Sequence, residues 1–283
     1  MMNNPLVSIV VPTKNEEKNI GRLLGSIKAQ SYQKVEMIVV DAGSTDQTKE
    51  IARRFTRKVY NHGPERSAQR NYGGEKARGT YIVFLDADME LTKGVIEDCV
   101  KTAEVSHCEA LIIPEVTVGN GIIPKVRRFE REMYMEDPTI EIARFFDKKV
   151  FFEFGGYDLN LTGPEDYDLP YRISKKYKIG RTKEYVLHHE ENLTLPKLLK
   201  KKYYYANRGH LYASKHPELI FIQGTIIFRK AYLKHWRKFL RHPIMGITFI
   251  FVRILETTWA VTGYVNAVGP VNFLKTFLKM LRQ

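Results

Sequence analysis

"YIVFLDADME" (81–90) decides how the chain is read. Residues 81–85 are apolar without alternation, as in a strand covered on both faces, and two carboxylates one residue apart follow at once. On an extended segment, side chains two apart point the same way, so Asp86 and Asp88 are expected to converge on one object. Like charges at the end of a buried strand repel unless a cation lies beside them. A hard divalent ion, Mg²⁺ or Mn²⁺, accepts carboxylate oxygens and bridges to phosphates. For a bare Asp-X-Asp, a solvated turn whose acids cap the next helix is the commoner explanation.

Outward from this stretch, the runs 6–11 and 35–40 are also β-branched and apolar. Helical spacing follows each: Ile20, Leu23, Leu24 and Ile27 after the first, 48–55 after the second. The alternation predicts an α/β fold with a mostly parallel sheet flanked by helices. Ligands bind at the carboxyl ends of such strands. Three polar clusters fall there: "PTKNEE" (12–17), "DAGSTD" (41–46) and "DAD" (86–88). Beyond them the pattern predicts a helix over 93–105, a strand over 110–118 and a charged helix over 125–135. Next comes "FFEFGGYDLNLTGPEDYDLPYRI" (151–173), an aromatic, Gly-rich loop leading into an acidic helix start.

With 283 residues, 43% hydrophobic and 12% aromatic, the chain can build a sizeable core and is not a disordered tail. Its net charge of +13 is unevenly placed. Residues 195–283 hold 16 Lys and Arg against Glu218 and Glu256, while the remainder is close to neutral. A basic C-terminal part suggests an anionic partner surface, membrane or nucleic acid. Cys99 and Cys108 form no Cys-X-X-Cys pair and read as reduced structural thiols. The first apolar run stops at Pro12 and follows no basic stretch, so no secretory signal is expected and the cytosol is the expected compartment.

Each cluster has a structural explanation of its own. In "VVDAGSTDQT" (39–48), Gly43 and a cap at Ser44, Thr45 or Asp46 make a strand-to-helix turn, which leaves Asp41 unexplained at the strand end. "PTKNEE" opens a helix with acids in its first turn, as the helix dipole prefers. In "ERSAQRN" (65–71), Arg66 and Arg70 share a helix face and can reach one anion together. In "GPEDYDL" (163–169), Pro164 suits a first helical turn and the acids complement the dipole.

Taken in order, "VSIVVPTKNEEKNIGRLLGSIKAQSY", "VEMIVVDAGSTDQTKEIA", "ERSAQRNYGGEKARGTYIVFLDADMELTKGVIE" and "FGGYDLNLTGPEDYDLPYRI" resemble the successive motifs of the family 2 glycosyltransferases, which have the GT-A fold. The resemblance covers roughly residues 5–212. It implies sugar transfer of the hexosyl type from a nucleotide-diphosphate sugar (UDP- or GDP-linked), with inversion and a divalent metal, Mg²⁺ or Mn²⁺. By resemblance, Pro12, Thr13, Asn15 and Glu16 line the nucleoside pocket with Asp41 on the base. Asp86, next to Ala87, faces the ribose side, and Asp88 holds the metal. Arg66, Arg70 and Asn71 lie beside the donor. Glu165 and Asp166 are the acidic pair beside the acceptor, Asp166 being the general base that takes the hydroxyl proton. Gly155, Gly156 and Tyr157 shape the sugar pocket. Ala42 departs from the family pattern, where many members have a second acid, and this leaves the base open. No Gln-X-X-Arg-Trp is present, so a non-processive enzyme is expected.

"HHEE" (188–191) offers a further metal ligand in His188 or His189; adjacent strand residues face opposite ways, so at most one points inward. In "LLKKKYYYANRGHLY" (198–212), lysines and tyrosines mix as they do at a lipid headgroup layer, and no nucleic-acid motif accompanies them. The apolar run 244–252 is interrupted by Arg253 and Glu256 before a bilayer span is reached, so it is expected in or on a membrane, or packed as a buried hairpin. In the last helix Leu274, Phe277, Leu278 and Leu281 share one face and Lys275, Lys279 and Arg282 another, which fits a membrane surface or a homo-oligomer contact. The expected division is a catalytic domain over 1–215 and a basic amphipathic helical region over 216–283.

The leading expectation is thus a metal-dependent, inverting glycosyltransferase, peripheral on the cytosolic membrane face. Its expected partners are a lipid-linked or glycan acceptor and an anionic membrane surface, with no nucleic acid. A nucleotidyltransferase acting on a sugar phosphate would need a Gly-rich basic loop after the first strand, and "PTKNEE" is acidic and lacks Gly. A non-catalytic sugar-nucleotide binder would have no use for Asp166 as a base.

Overall fold

The computed structural model describes residues 4–135, 137, 140–216 and 230–280. They fall into two compact units. The first comprises Met1–Val116, Ile142–Leu159 and Glu165–His189, the second Thr117–Glu141, Asn160–Pro164 and Glu190–Gln283. The boundary expected at 215/216 lies inside the second unit, because the apolar face of an early helix (α5, Ile122–Tyr134) packs with the late helices.

In the first unit the elements run β1 (Val7–Thr13), α1 (Ile20–Lys28), β2 (Val35–Asp41), α2 (Thr48–Arg53), β3 (Val59–Asn61), α3 (Arg66–Lys76) and β4 (Tyr81–Phe84). They continue with β5 (Met89–Leu91), α4 (Val95–Ser106), β6 (Ala110–Ile112) and β7 (Glu115–Val118), which runs into the second unit. β8 (Ala143–Asp147), α6 (Lys148–Glu153), α7 (Glu165–Ser174), β9 (Ile179–Arg181) and β10 (Val186–His189) complete the unit. The main sheet has the order β3-β2-β1-β4-β8-β6-β9. β1 is parallel to β2 and β4, and only β8 runs antiparallel to its neighbours. A small sheet takes the order β5-β10-β7.

The unalternated strands are explained by helices on both faces. Val7, Ile9, Val11 and Val39 pack with Ile20, Leu23, Leu24 and Ile27 of α1 and with Val95 and Ile96 of α4. Val10, Ile38, Val40, Ile82 and Phe84 pack on the other side with Phe151, Tyr157, Leu169 and Ile173. The order reverses at β1, which has β2 on one side and β4 on the other. A crevice opens at such a switch point, at the carboxyl ends of the strands. Gly73 brings α3 down onto this edge, since a Cβ there would lie 2.3 Å from Val10 Cγ1.

Two expectations are corrected. The stretch 110–118 is not one strand: Pro114 separates β6 from β7, and the two join different sheets. The run 244–252 does not end at its charges, because one helix continues through Arg253 and Glu256 as Pro243–Val268.

The second unit also contains α8 (Leu195–Arg208), α9 (His210–Lys215) and the helices Lys230–Lys234, Trp236–Arg241, Pro243–Val268 and Pro270–Met280. Its core joins Ile123, Val126, Phe129 and Met133 of α5 to Leu198, Tyr232, Phe249 and Val252. The expected terminal amphipathic helix exists as Pro270–Met280. The side chains of 276–283, on which most of that expectation rests, lie outside the described residues.

Candidate active site

Thr13 and Asp41 are opposite each other in the parallel β1–β2 pair, so "PTKNEE" and "DAGSTD" leave the sheet at the same level. Side chains lace the two loops together. The Asn15 amide donates to Ser44 Oγ (2.8 Å), Asn15 Oδ1 accepts from the Thr45 amide (2.9 Å), and the Glu16 amide donates to Thr48 Oγ1 (2.7 Å). Asn15 has a φ of 56°, a left-handed conformation that Asn tolerates better than most residues. Pro12 and Thr13 are buried, and Asn15 and Glu16 reach the surface.

Asp41, expected on the nucleotide base, is tied into the protein. Its carboxylate is fully buried and accepts from Thr13 Oγ1 (3.0 Å), the Ser44 amide (2.7 Å) and Ser44 Oγ (2.5 Å). Both oxygens are thus engaged inside the protein, and Asp41 anchors the turn. Gln69 does related work that the sequence did not suggest: its Nε2 donates to the carbonyls of Thr13 (2.9 Å) and Val40 (2.6 Å) and ties α3 to both strand ends.

Arg70 is the centre of the site. It is fully buried, and its guanidinium donates from Nη1 to Asp166 Oδ1 (2.6 Å) and from Nη2 to Asp86 Oδ1 (2.8 Å). Burial alone would lower its pKa, but Asp166 and Asp86 outweigh that and raise it. Arg144 of β8, another residue not singled out from sequence, approaches Asp86 Oδ2 at 3.4 Å and binds Glu115 Oε1 at 2.6 Å. The available signal was a lone Arg inside "ARFFD" (143–147), a strand otherwise apolar up to its last residue. Burial tends to raise the Asp86 carboxyl, yet Arg70, Arg144 and Arg66 hold it far below the usual carboxylate range.

Asp86 and Asp88 take different side-chain partners. The chain turns between β4 and β5 instead of staying extended, so the alternation rule for strands does not describe this segment. Asp86 faces arginines, while Asp88 Oδ2 lies 3.3 Å from His188 Nε2. His188 Nδ1 is 3.0 Å from Glu115 Oε2, a carboxylate behind the ring that fixes its orientation. His189 points the other way, to Glu90 Oε2 at 2.8 Å, as neighbours on a strand must. Ala87 is buried between the two acids.

A divalent cation fits this donor set. Among the described residues no group of three His, Cys, Asp or Glu side chains could cage an ion alone. Asp88 and His188 together offer one carboxylate and one imidazole, a mixed pair that suits Mn²⁺ better than Mg²⁺, whose preference is for oxygen, and they leave positions for phosphate and water. Nearby, burial raises the Glu16 pKa, Asn19 opposes this by hydrogen bonding, and the charges of Asp88, Asp86 and Asp46 raise it further.

Asn71, expected beside the donor, spends both polar atoms on one loop residue. Its Nδ2 donates to the Tyr157 carbonyl (2.8 Å) and its Oδ1 accepts from the Tyr157 amide (2.9 Å). Gly155 and Gly156 precede that residue with φ of 73° and 68°, and a Cβ on Gly156 would lie 2.7 Å from Asn71 Oδ1. The clamp places the Tyr157 ring 5.2 Å from the Arg70 guanidinium. Asn71→Ala is expected to cost about 1–3 kcal/mol in denaturant unfolding, since two backbone groups lose their partner.

The acidic pair opens α7. Asp166 spends Oδ1 on Arg70 and, among the described residues, Oδ2 accepts no hydrogen bond. Glu165 is 1% exposed, has Arg66 Nη2 at 3.4 Å from Oε1, and leaves Oε2 without a hydrogen-bond partner. Burial, then the charge of Asp166, raises the Glu165 carboxyl above its ordinary value. Its folded-state pKa therefore lies above the unfolded one, so ionising it weakens the fold as pH rises through the usual carboxylate range and beyond. The melting temperature of Glu165→Gln relative to the parent is thus expected to be higher at neutral pH than at about pH 4.

A family model described as Glycosyl transferase family 2 matches residues 8–163, more than half of the chain. An uncharacterized glycosyltransferase of Haemophilus influenzae is 43% identical over 96 residues, 31% of this chain and 38% of that protein. The GalNAc(5)-diNAcBac-PP-undecaprenol beta-1,3-glucosyltransferase of Campylobacter jejuni is 28% identical over 138 residues, 45% of this chain and 42% of that protein. Each match spans less than half the length of the relative. Among solved structures, the mannosyltransferase PcManGT of Pyrobaculum calidifontis, in complex with GDP-Man and Mn²⁺, has a TM-score of 0.57 at 19% identity, covering 97% of this chain and 79% of that one. At that identity the likeness is one of fold.

Proposed function

Because the chain belongs to glycosyl transferase family 2 and has the GT-A fold, we propose that it transfers a sugar from a UDP- or GDP-sugar to a membrane-proximal acceptor. The acceptor group is a hydroxyl or phosphate of a lipid-linked molecule, and transfer proceeds one sugar at a time with inversion. The observation that carries this reading is the Arg70 fork, which joins Asp86 on the strand edge to Asp166 at the start of α7. The lipid-linked acceptor of the Campylobacter relative supports the acceptor class.

The residues divide the work. The loops after β1 and β2, held by Asn15, Glu16 and Ser44, form the floor for the nucleoside, and Asp41 holds that floor in shape. Arg70 fixes the spacing between Asp86 and Asp166 without lending its charge to solvent. Asp166 presents Oδ2 to the acceptor hydroxyl and takes its proton as the oxygen attacks the anomeric carbon. Glu165, whose ionisation is suppressed by burial, limits the negative charge beside that base. Asp88 and His188 would hold a divalent cation, which when bound supplies neutralisation for the charge on the departing diphosphate. The Mn²⁺ of the Pyrobaculum enzyme supports that choice of ion. A single displacement inverts the anomeric configuration. The proposed location is the cytosolic face of a membrane, with the protein peripheral to it.

The test is a panel of sugar nucleotides offered to the purified protein with Mn²⁺ and read by mass spectrometry. Consumption of at least one donor is expected; a protein that neither hydrolyses nor transfers from any of them overturns the reading.

A further inference from the structure

The helix Pro243–Val268 is inside out for a protein in water. Its two charged residues, Arg253 and Glu256, are buried. Arg253 Nη1 donates to Glu130 Oε1 of α5 (2.8 Å) and the guanidinium pairs with Glu256, which Lys202 of α8 approaches at 3.4 Å. The other face carries Ile244 (81% exposed), Ile247 (70%), Phe251 (57%), Ile254 and Val261, and no charge. Their intervals of three, four, three and seven residues, with the exposed Thr258 within the last, place them on one stripe. A helix facing water places its charges outward and its apolar stripe inward.

The residues just before this helix supply the complementary half. Lys234, His235, Arg237, Lys238, Arg241 and His242 line a cleft of about 400 Å³. Leu233, Trp236 and Leu240 are exposed among them. No Asp or Glu occurs over 230–252, and among the described residues the acidic partner recorded for these six is Glu132, at 2.5 Å from Lys238. Basic heads over exposed aliphatic and indole surface match the headgroup layer of an anionic bilayer.

We propose that this surface is the membrane-docking element: the stripe of Pro243–Val268 lies in the interfacial layer of an anionic phospholipid bilayer, and the basic cleft holds headgroup phosphates. The helix is long and apolar enough to cross a bilayer. Crossing would carry Arg253 and Glu256, with their partners on α5 and α8, into hydrocarbon, so the helix lies in the plane of the membrane. The inference rests on the membrane-proximal part of the proposed function and adds the surface that makes the contact. Its test reads lipid binding, so its failure leaves sugar transfer standing, and a failed donor screen leaves docking standing.

Trp236 and Trp259 are the two tryptophans of the chain and both are exposed, so the unmodified protein reports the contact itself. With vesicles of phosphatidylglycerol and phosphatidylcholine, their emission is expected to shift to the blue and to be quenched by brominated acyl chains. The double variant Arg237→Gln, Arg241→Gln is expected to bind those vesicles roughly 30-fold more weakly, at about fivefold per basic residue. Unshifted emission with anionic vesicles overturns the inference. So does a blue shift that depends on protein concentration without lipid and accompanies a dimer in light scattering, because a second copy then covers the stripe.

Discussion

Asp166→Asn is expected to lower the turnover of sugar transfer by about 10²–10⁴-fold, the usual worth of a positioned general base, and to leave nucleotide-sugar affinity near that of the parent. The amide keeps an oxygen for Arg70 Nη1, so the buried fork and the donor side survive the change. It cannot take a proton at neutral pH. Single-turnover transfer with saturating donor separates the two quantities, because binding and chemistry are then measured apart. Unchanged turnover would remove Asp166 from the role of base. A parallel loss of donor binding would show that the substitution disturbs the Arg70 fork.

Arg70→Met carries the largest expected cost to stability. Arg70 is fully buried, with Asp86 and Asp166 bonded to its two nitrogens and Glu165 Oε1 at 3.8 Å from Nη1. Removing the cation leaves the Asp86 and Asp166 carboxylates and the Glu165 carboxyl around an apolar side chain. Breaking a buried ion pair by deleting one partner costs about 3–5 kcal/mol, a large share of the roughly 5–15 kcal/mol that holds a domain together. Urea unfolding of the two proteins measures the difference, and a loss under about 1 kcal/mol would place the variant among ordinary surface substitutions. Arg70→Lys recovers only part of the loss, because an ammonium lacks the planar fork that reaches both acids.

The parallel part of the sheet was legible because its strands are apolar on both faces, a pattern that survives without knowledge of partners. β8 was not: "ARFFD" (143–147) is short, and its pairing with β4 and β6 is set by residues far along the chain. The same distance hid Arg144, whose partner Asp86 lies 58 positions earlier. The alternation rule applies to His188 and His189, which take different carboxylate partners on the extended β10, but not to Asp86 and Asp88, because the chain turns there. The composition of 244–268 showed two charges interrupting an apolar run. Only packing reveals that they point to Glu130 and Lys202 and leave the apolar face outward.

The central claim is that the edge formed by β1, β2 and β4 is a donor site with its cation on Asp88 and His188. A crystal grown with a nucleoside diphosphate and Mn²⁺ tests it most directly through the anomalous signal of manganese. One manganese bonded to Asp88 and to His188 Nε2 is expected, with the nucleoside over Thr13–Glu16. Manganese on Glu90 and His189, or a nucleotide bound away from this edge, would contradict it.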